Sequence, residues 1–160
     1  MDDICPLDEP RLADEILEDL DDLCDKLRLK FFLYAGTCLG FYREGDYIAS
    51  DNDIDVAIIA NETEYQGLIN ELIKLGFEQS SIECYKLHHL RRDGILLDLR
   101  RMDKRSPYVV PPGATTGGYS FREFDIITHY GRKYRVPGPV EKYLKSAYGT
   151  WWIPESKENG

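Results

Sequence analysis

Nowhere does the chain approach the ~20 consecutive apolar residues that a bilayer-spanning helix requires. Its first residues, Met1-Asp2-Asp3-Ile4-Cys5-Pro6, are acidic where a secretory leader would be basic. The expectation is a cytoplasmic protein without a membrane span. Cysteine is sparse: Cys5, Cys24, Cys38 and Cys84 stand far apart with no paired ligand spacing, so neither a zinc cluster nor a disulfide framework is indicated and the four read as buried thiols. A surplus of positive charge is missing too, the net charge being −9. Eleven of the 29 acids but one of the 20 basic residues fall within residues 1–25, so that segment carries −10 and the remaining 135 residues +1. A near-neutral body behind an acidic helix excludes broad nucleic-acid binding, which needs a basic face against the phosphates, and leaves room for a small anionic ligand. Repeats, low-complexity tracts and linkers are lacking as well. With 160 residues, 42% of them hydrophobic, the chain suits one domain over 1–160, with an acidic N-terminal helix over 1–28 as part of it.

Hydrophobic periodicity marks the elements. Leu12, Ile16, Leu20, Leu23 and Leu27, joined by Leu17 and Cys24, recur at helical spacing, while Asp14, Glu15, Glu18, Asp19, Asp21, Asp22 and Asp25 make a solvated acidic face. Lys30 to Ala35 reads as a buried strand that breaks at Gly36, and Gly36 to Arg43 as a small-residue turn with a short helical segment. Ile54 to Ala60 is β-branched enough for a central strand. A second helix carries Tyr65, Leu68, Ile69, Leu72 and Ile73, capped by Asn61 with Glu64 and stopped by Gly76. Strands are expected over Glu83 to Leu90 and Ile95 to Arg101, joined by the turn Arg92-Asp93-Gly94. Ser106 to Gly118 reads as a loop, and within it Tyr108 to Gly118 is a candidate substrate loop. Phe121 to His129 and Lys133 to Val136 flank Tyr130-Gly131-Arg132 as another hairpin, and Pro139 opens a last helix that Gly149 ends. The fold class is α+β, a short mixed β-sheet with helices packed against it.

Chemistry concentrates in Ser50-Asp51-Asn52-Asp53-Ile54-Asp55-Val56. Strand alternation puts Asp53 and Asp55 on one face, where two carboxylates at the head of an apolar strand ask for a cation. Mg²⁺ suits them, with Mn²⁺ as its substitute, because it takes carboxylate oxygens and keeps positions for water and phosphate. Asp98, alone in the apolar run Ile95 to Leu99, offers a third ligand. Three such acids can position a phosphate chain for phosphoryl or nucleotidyl transfer. Two other readings compete. Asp51, Asp53, Asp55 and Glu62 match positions 1, 3, 5 and 12 of an EF-hand, but Val56 stands where that loop needs Gly. Alternatively, Asp51 and Asn52 form a turn and Asp53 and Asp55 face water on an edge strand. Upstream, Gly36-Thr37 puts backbone N–H groups and a hydroxyl at a helix N-terminus, where phosphate is favoured. Lys86 and His88 share a strand face that would line a phosphate pocket or form a solvated edge, and Trp151 and Trp152 either stack on a base or choline-type cation or cover the core.

With a Gly-Thr turn, an acid pair on the next strand and a later third acid, the chain resembles the nucleotidyltransferase superfamily. More narrowly it is similar to the LicD family, which includes the catalytic domains of fukutin-type proteins. The pieces that carry the resemblance are Ala35 to Gly45, Ile48 to Val56, and Tyr143-Leu144 followed by Tyr148 to Pro154. Where the family usually shows an aromatic and a run of acids before the pair, this chain has Ser50-Asp51-Asn52. The resemblance implies Mg²⁺-dependent transfer of a phosphocholine-like or polyol phosphate group from a CDP-activated donor to a glycan or small-molecule hydroxyl. By position, Gly36, Thr37 and Arg43 would contact donor phosphates, Asp53, Asp55 and Asp98 would bind the metal, and Asp98 would serve as base. The alternatives are transfer of an NMP from an NTP to a small molecule, and a non-catalytic nucleotide-binding module.

Overall fold

The computed structural model describes residues 3–49, 51–84, 87–104, 108–109 and 119–154, with side chains omitted at 80–84, 87, 108 and 109. Helix α1 (Pro10–Leu27) begins on a proline whose missing N–H costs nothing at the first turn, and buries Ala13, Ile16, Leu17, Leu20, Leu23 and Cys24. Strand β1 (Lys30–Leu33) leads into α2 (Ala35–Arg43), then β2 (Asp53–Ile59) and α3 (Glu62–Lys74). The expected cap of α3 is present in full: Asn61 accepts from the Glu64 N–H, and Glu64 accepts from the Asn61 N–H. Strands β3 (Glu78–Cys84), β4 (Leu87–Arg92) and β5 (Ile95–Met102) follow, then β6 (Tyr108–Val109), β7 (Ser120–Phe121), β8 (Glu123–His129), β9 (Arg132–Gly138) and α4 (Val140–Tyr148).

Five strands form one sheet in the order β1-β2-β5-β4-β3, with β2 and β5 parallel and the other neighbours antiparallel, so the sheet is mixed as expected. Strand β2 is therefore central, and Asp53 and Asp55 do not lie on an edge. Val56 sits inside that strand, which removes the EF-hand reading. Both hairpin turns, Asp93-Gly94 and Tyr130-Gly131, have positive φ at each residue (54° and 80°, 46° and 82°), the two-residue geometry whose twist matches the strands.

Three expectations need correction. The strand expected at Glu83 to Leu90 is divided between the end of β3 and β4. Strand β3 starts five residues earlier, where Glu78-Gln79-Ser80-Ser81 shows no apolar alternation because it is an edge strand paired only with β4, with two register shifts. Within the loop expected over 106–118, Tyr108–Val109 pairs with Ser120–Phe121; residues 105–107 and 110–118, like Ser50 and Lys86, lie outside the described residues. The acidic face of α1 is only partly solvated. Asp14 meets Tyr47 and His129, Asp19 meets Arg92 at 2.8 Å, and Asp21 and Asp22 share Arg132.

Strand alternation sorts the sheet into two faces. Ile54, Val56 and Ile58 share a face with Leu97, Leu99 and His88, covered by α3 through Tyr65, whose hydroxyl donates to the Leu99 carbonyl at 3.1 Å and lies 3.0 Å from His88 Nδ1. His88 is thus buried under a helix and lines neither a phosphate pocket nor a solvated edge. The other face carries Phe32, packed on Phe121 and Phe124 with ring centroids 5.0 Å apart, and next to it Asp55 and Asp98. The β8–β9 hairpin lies against β1 and covers that edge. Cys5, Cys24 and Cys38 are buried free thiols. No helix among the described residues is long and apolar enough to cross a membrane.

Candidate functional site

The acids meet where the C-terminal end of β1 turns into α2 beside the start of β2. Antiparallel pairing aligns Leu33 with Val56, so the chain leaving β1 passes Asp55. Tyr34 N–H donates to the Asp55 carbonyl at 3.3 Å, and the Asp55 N–H donates to Thr37 Oγ1 at 2.8 Å. Thr37, 2% exposed, clips the N-terminus of α2 onto the acid strand. Ala35 takes a left-handed conformation (φ 48°), and its N–H donates to the Tyr143 hydroxyl at 2.8 Å, so buried Tyr143 of α4 props the turn from behind.

Across the parallel pair Asp55 stands in register with Asp98, and across β4–β5 Asp98 stands in register with His89, whose Nε2 lies 3.9 Å from Asp98 Oδ1. One face thus presents a row Asp55, Asp98, His89 over three strands, with Asp53 two residues up the first. Asp51 joins from the preceding loop: Asp51, Asp53 and Asp55 each offer a carboxylate oxygen within 4.8 Å of one another. A Cβ at Gly36 would collide with the Asp51 carboxylate, so glycine there gives the carboxylate its seat.

Burial dominates the electrostatics. It pushes the Asp51 carboxyl up to about 6, aided by Asp53 and opposed by Arg43. Burial, with the charges of Asp53 and Asp98, holds Asp55 far above the ordinary carboxylate range. Asp53 is raised by burial, against the lowering effect of its hydrogen bond with Asp55 and of the neighbouring His89 and Arg100. Like charges forced together out of water are relaxed either by a proton or by a cation, and an all-carboxylate donor set fits a hard divalent ion such as Mg²⁺ or Mn²⁺. Nearby Tyr148, partly exposed, is also raised, first by burial and then by Asp55, Asp51 and Asp53.

Of the residues singled out in the sequence, Asp53, Asp55 and Asp98 come together, and Gly36 and Thr37 stand at the same corner. Arg43 stands in the wall of a neighbouring cleft, its Nε 2.6 Å from Glu44 Oε1 and its Nη1 donating to the Trp151 carbonyl at 3.0 Å. Two participants were not singled out. Asp51 reads in sequence only as a turn former or as a residue of the EF-hand loop now removed, and its place in this group depends on a loop path that spacing does not encode. Arg100, two residues beyond Asp98 and so on the same face, was open to the alternation argument. Its guanidinium carbon lies 5.9 Å from the Tyr34 ring centre at the start of α2, and its Nε is buried without a hydrogen-bond partner among the described residues.

The family model described as LicD/FKTN/FKRP, nucleotidyltransferase domain, matches residues 28–110, just over half of the chain. The proteins named ribitol-5-phosphate transferase FKTN of Homo sapiens and of Macaca fascicularis are each 27% identical over 160 residues, covering 89% of this chain and 33% of the relative. The chain thus spans about a third of the length of those curated relatives. Among solved structures it is similar to the lincomycin-bound lincosamide antibiotic adenylyltransferase LnuA, with a TM-score of 0.63 and 17% identity over 89% of each chain. The solution structure of the antibiotic-resistance factor ANT(2″)-Ia follows at a TM-score of 0.56 and 15% identity, covering 77% of this chain and 63% of that one. At these identities the likeness establishes the nucleotidyltransferase-type fold.

Proposed function

Since the chain belongs to the LicD family, we propose that it is a transferase of phosphorus-containing groups, moving a polyol phosphate or a phosphocholine-like group from a CDP-activated donor to a glycan or small-molecule hydroxyl. The observation that carries this reading is the convergence of Asp53, Asp55 and Asp98 on one sheet face at the N-terminus of α2, with Asp51 closing the group. The printed name of the FKTN relatives, ribitol-5-phosphate transferase, favours the polyol phosphate.

In this reading Asp53 and Asp55 would hold a magnesium ion, with Asp98 and Asp51 as the further carboxylates available to it; manganese is the substitute. Bound there, the ion would polarise the donor phosphate and neutralise the charge that grows during transfer. The turn at Gly36 and Thr37 offers backbone N–H groups to the phosphates at a helix N-terminus. Arg100, beside that terminus, adds a fixed positive charge. Asp98 accepts the proton of the attacking hydroxyl while the acceptor oxygen bonds to the transferred phosphorus and the bond from that phosphorus to the CMP oxygen breaks. No protein nucleophile is required, because position and charge lower the barrier. Arg43, with its guanidinium engaged by Glu44 and Trp151, we assign to the wall of the cleft.

Calorimetric titration with CDP-ribitol, CDP-choline and CTP, each with Mg²⁺ and with EDTA, tests the reading in the wild type and in Asp53→Asn. The expected result is Mg²⁺-dependent binding of a CDP-alcohol that weakens by more than about tenfold in the variant. Preference for CTP with release of pyrophosphate would instead establish nucleotidyl transfer. Binding that ignores both the metal and the substitution would leave only a nucleotide-binding module and sink the enzymatic reading.

A further inference from the structure

Beside the carboxylates a cleft of about 650 Å³ opens between α2, the loop over 44–49 and the segment 148–154 after α4. Asp51 forms part of its lining, so the cleft runs up to the acid group. Its charges are lopsided: Glu44, Asp46 and Asp51 are acidic, and Arg43 is the one basic lining residue among those described. That single cation is spent within the wall, on Glu44 at 2.6 Å and on the Trp151 carbonyl at 3.0 Å, with only 12% of its side chain exposed. Asp46 is fixed in the loop after α2, where its Oδ1 accepts the Tyr47 N–H at 2.8 Å.

Three aromatic residues, Tyr47, Tyr148 and Trp151, stand in the wall, and Trp151 is held against Tyr42 at 5.3 Å and edge-on to Trp152 at 5.8 Å. Ring faces are negative and attract cations, and carboxylates beside them add to the attraction. Gly36 and Asp51 mark its inner end, where the cleft meets the acid group; farther out, a phosphate would meet the Asp46 carboxylate and no available cation, whereas the flank that carries Arg100 offers a positive charge.

We propose that this cleft is the acceptor site and that it selects a hydroxylated acceptor bearing positive charge, an amino sugar or amine-bearing polyol. The ammonium is held by Asp46 and the aromatic wall, and the reacting hydroxyl is turned toward Asp51 and the neighbouring carboxylates. The word acceptor rests on the transfer reading above; the charge class rests on the cleft itself.

The chain supplies its own reporter, because of its two tryptophans Trp151 lines the cleft and Trp152 packs edge-on against it. In full-length Trp152→Phe the fluorescence belongs to Trp151 alone. Titration with D-glucosamine, D-glucose and D-glucose 6-phosphate varies charge on one ring. Glucosamine is expected to bind tightest and the phosphate weakest, the extremes differing by at least about tenfold, with added salt narrowing the gap. Asp46→Asn keeps the oxygen that accepts the Tyr47 N–H, and is expected to cut the preference at least about threefold. Equal binding of the three sugars, preference for the phosphate, or a silent Trp151 overturns the proposal. A parallel titration with CDP-ribitol and Mg²⁺ separates the two readings. Charge-selective sugar binding without nucleotide binding overturns the transfer reading and keeps the cationic cleft, and the converse result overturns the cleft proposal alone.

Discussion

The two flanks of the carboxylate group are built from different materials. On one side, β4 and β5 present His89 and Arg100 from a regular sheet, each position fixed by strand register. On the other, the cleft is assembled from a helix, an irregular loop and the segment after α4, and its lining is aliphatic and aromatic with acidic groups among the apolar ones. Charge of opposite sign on opposite sides of one acid centre is what a reaction joining an anionic donor to a differently charged acceptor requires. The contrast also separates what a sheet does well, which is to hold charges at fixed spacing, from what loops do well, which is to shape a pocket.

Breaking the shared centre carries the largest expected effect. Asp53→Asn or Asp55→Asn should lower transfer activity on the order of a thousandfold, since the charge that would hold the proposed cation is lost. Each should also abolish the rise in Tm on adding Mg²⁺, while the metal-free Tm stays level or climbs because repulsion has been removed. A metal-induced Tm shift that survives both substitutions would move the metal elsewhere. Next comes the basic flank: Arg100→Ala should raise the KM for donor about ten- to a hundredfold, the worth of one charge-assisted contact, and leave glucosamine binding at Trp151 unchanged. Loss on both sides would erase the division between flanks. Gly36→Ala should weaken Mg²⁺ roughly tenfold by pushing the Asp51 carboxylate off its seat, read by titration of the metal alone.

Acidity sharpens the same centre. A carboxyl raised in the folded state binds its proton there more tightly than in the unfolded chain, so its share of stability is present at low pH and lost as pH rises from its ordinary value toward the folded one. For Asp51 the window runs from about 3.8 to about 6, and Asp55 extends it upward. Metal-free Tm should therefore decline across that range. The Tm gain from Mg²⁺ should grow over the same window and level off above it, because ligands must lose their protons first. Thermal scans with Mg²⁺ and with EDTA between pH 4 and 8 check both halves, and a Mg²⁺ gain that is flat with pH would count against carboxylate ligation.

How much of this was legible in the sequence depended on whether local pattern or chain path decided the outcome. Alternation alone placed Asp53 and Asp55 on one face, and the capping residues Asn61 and Glu64 and both Gly-containing hairpin turns stood where the letters put them. The α+β class and the mixed sheet followed from element order. Strand β3 did not, because an edge strand paired on one side only needs no apolar alternation, and Glu78 to Ser81 has none. His88 and His89 show the limit from the other side: the strand was visible, but which histidine lay under α3 and which beside Asp98 depended on the sheet's covered face. Asp51, and the cleft it lines, required a loop trajectory. So did the partners of α1's acids, since nothing in residues 10–27 announces that Asp14 will meet His129 from 115 positions away.

That last contact supplies the smallest expected effect, and the one that most directly tests whether the cleft is shaped independently of the sheet. Tyr47 lines the cleft, and its hydroxyl donates to Asp14 Oδ1 at 2.6 Å; the same oxygen lies 2.9 Å from Nε2 of buried His129, which stacks on Phe41 at 4.1 Å. The loop wall is thereby moored to α1 and to β8, and it reaches β4 only at second hand, through the Asp19–Arg92 pair farther along α1. Tyr47→Phe keeps the ring and removes one hydrogen bond to an acceptor that retains His129, so the stability cost should be about 1 kcal/mol, a few degrees in Tm. Glucosamine affinity at Trp151 should fall by about two- to threefold as the wall loosens, while the Kd for CDP-ribitol with Mg²⁺ holds constant. Equal losses for sugar and nucleotide would mean that the two flanks move together, because the mooring would then reach the acid strand as well as the loop.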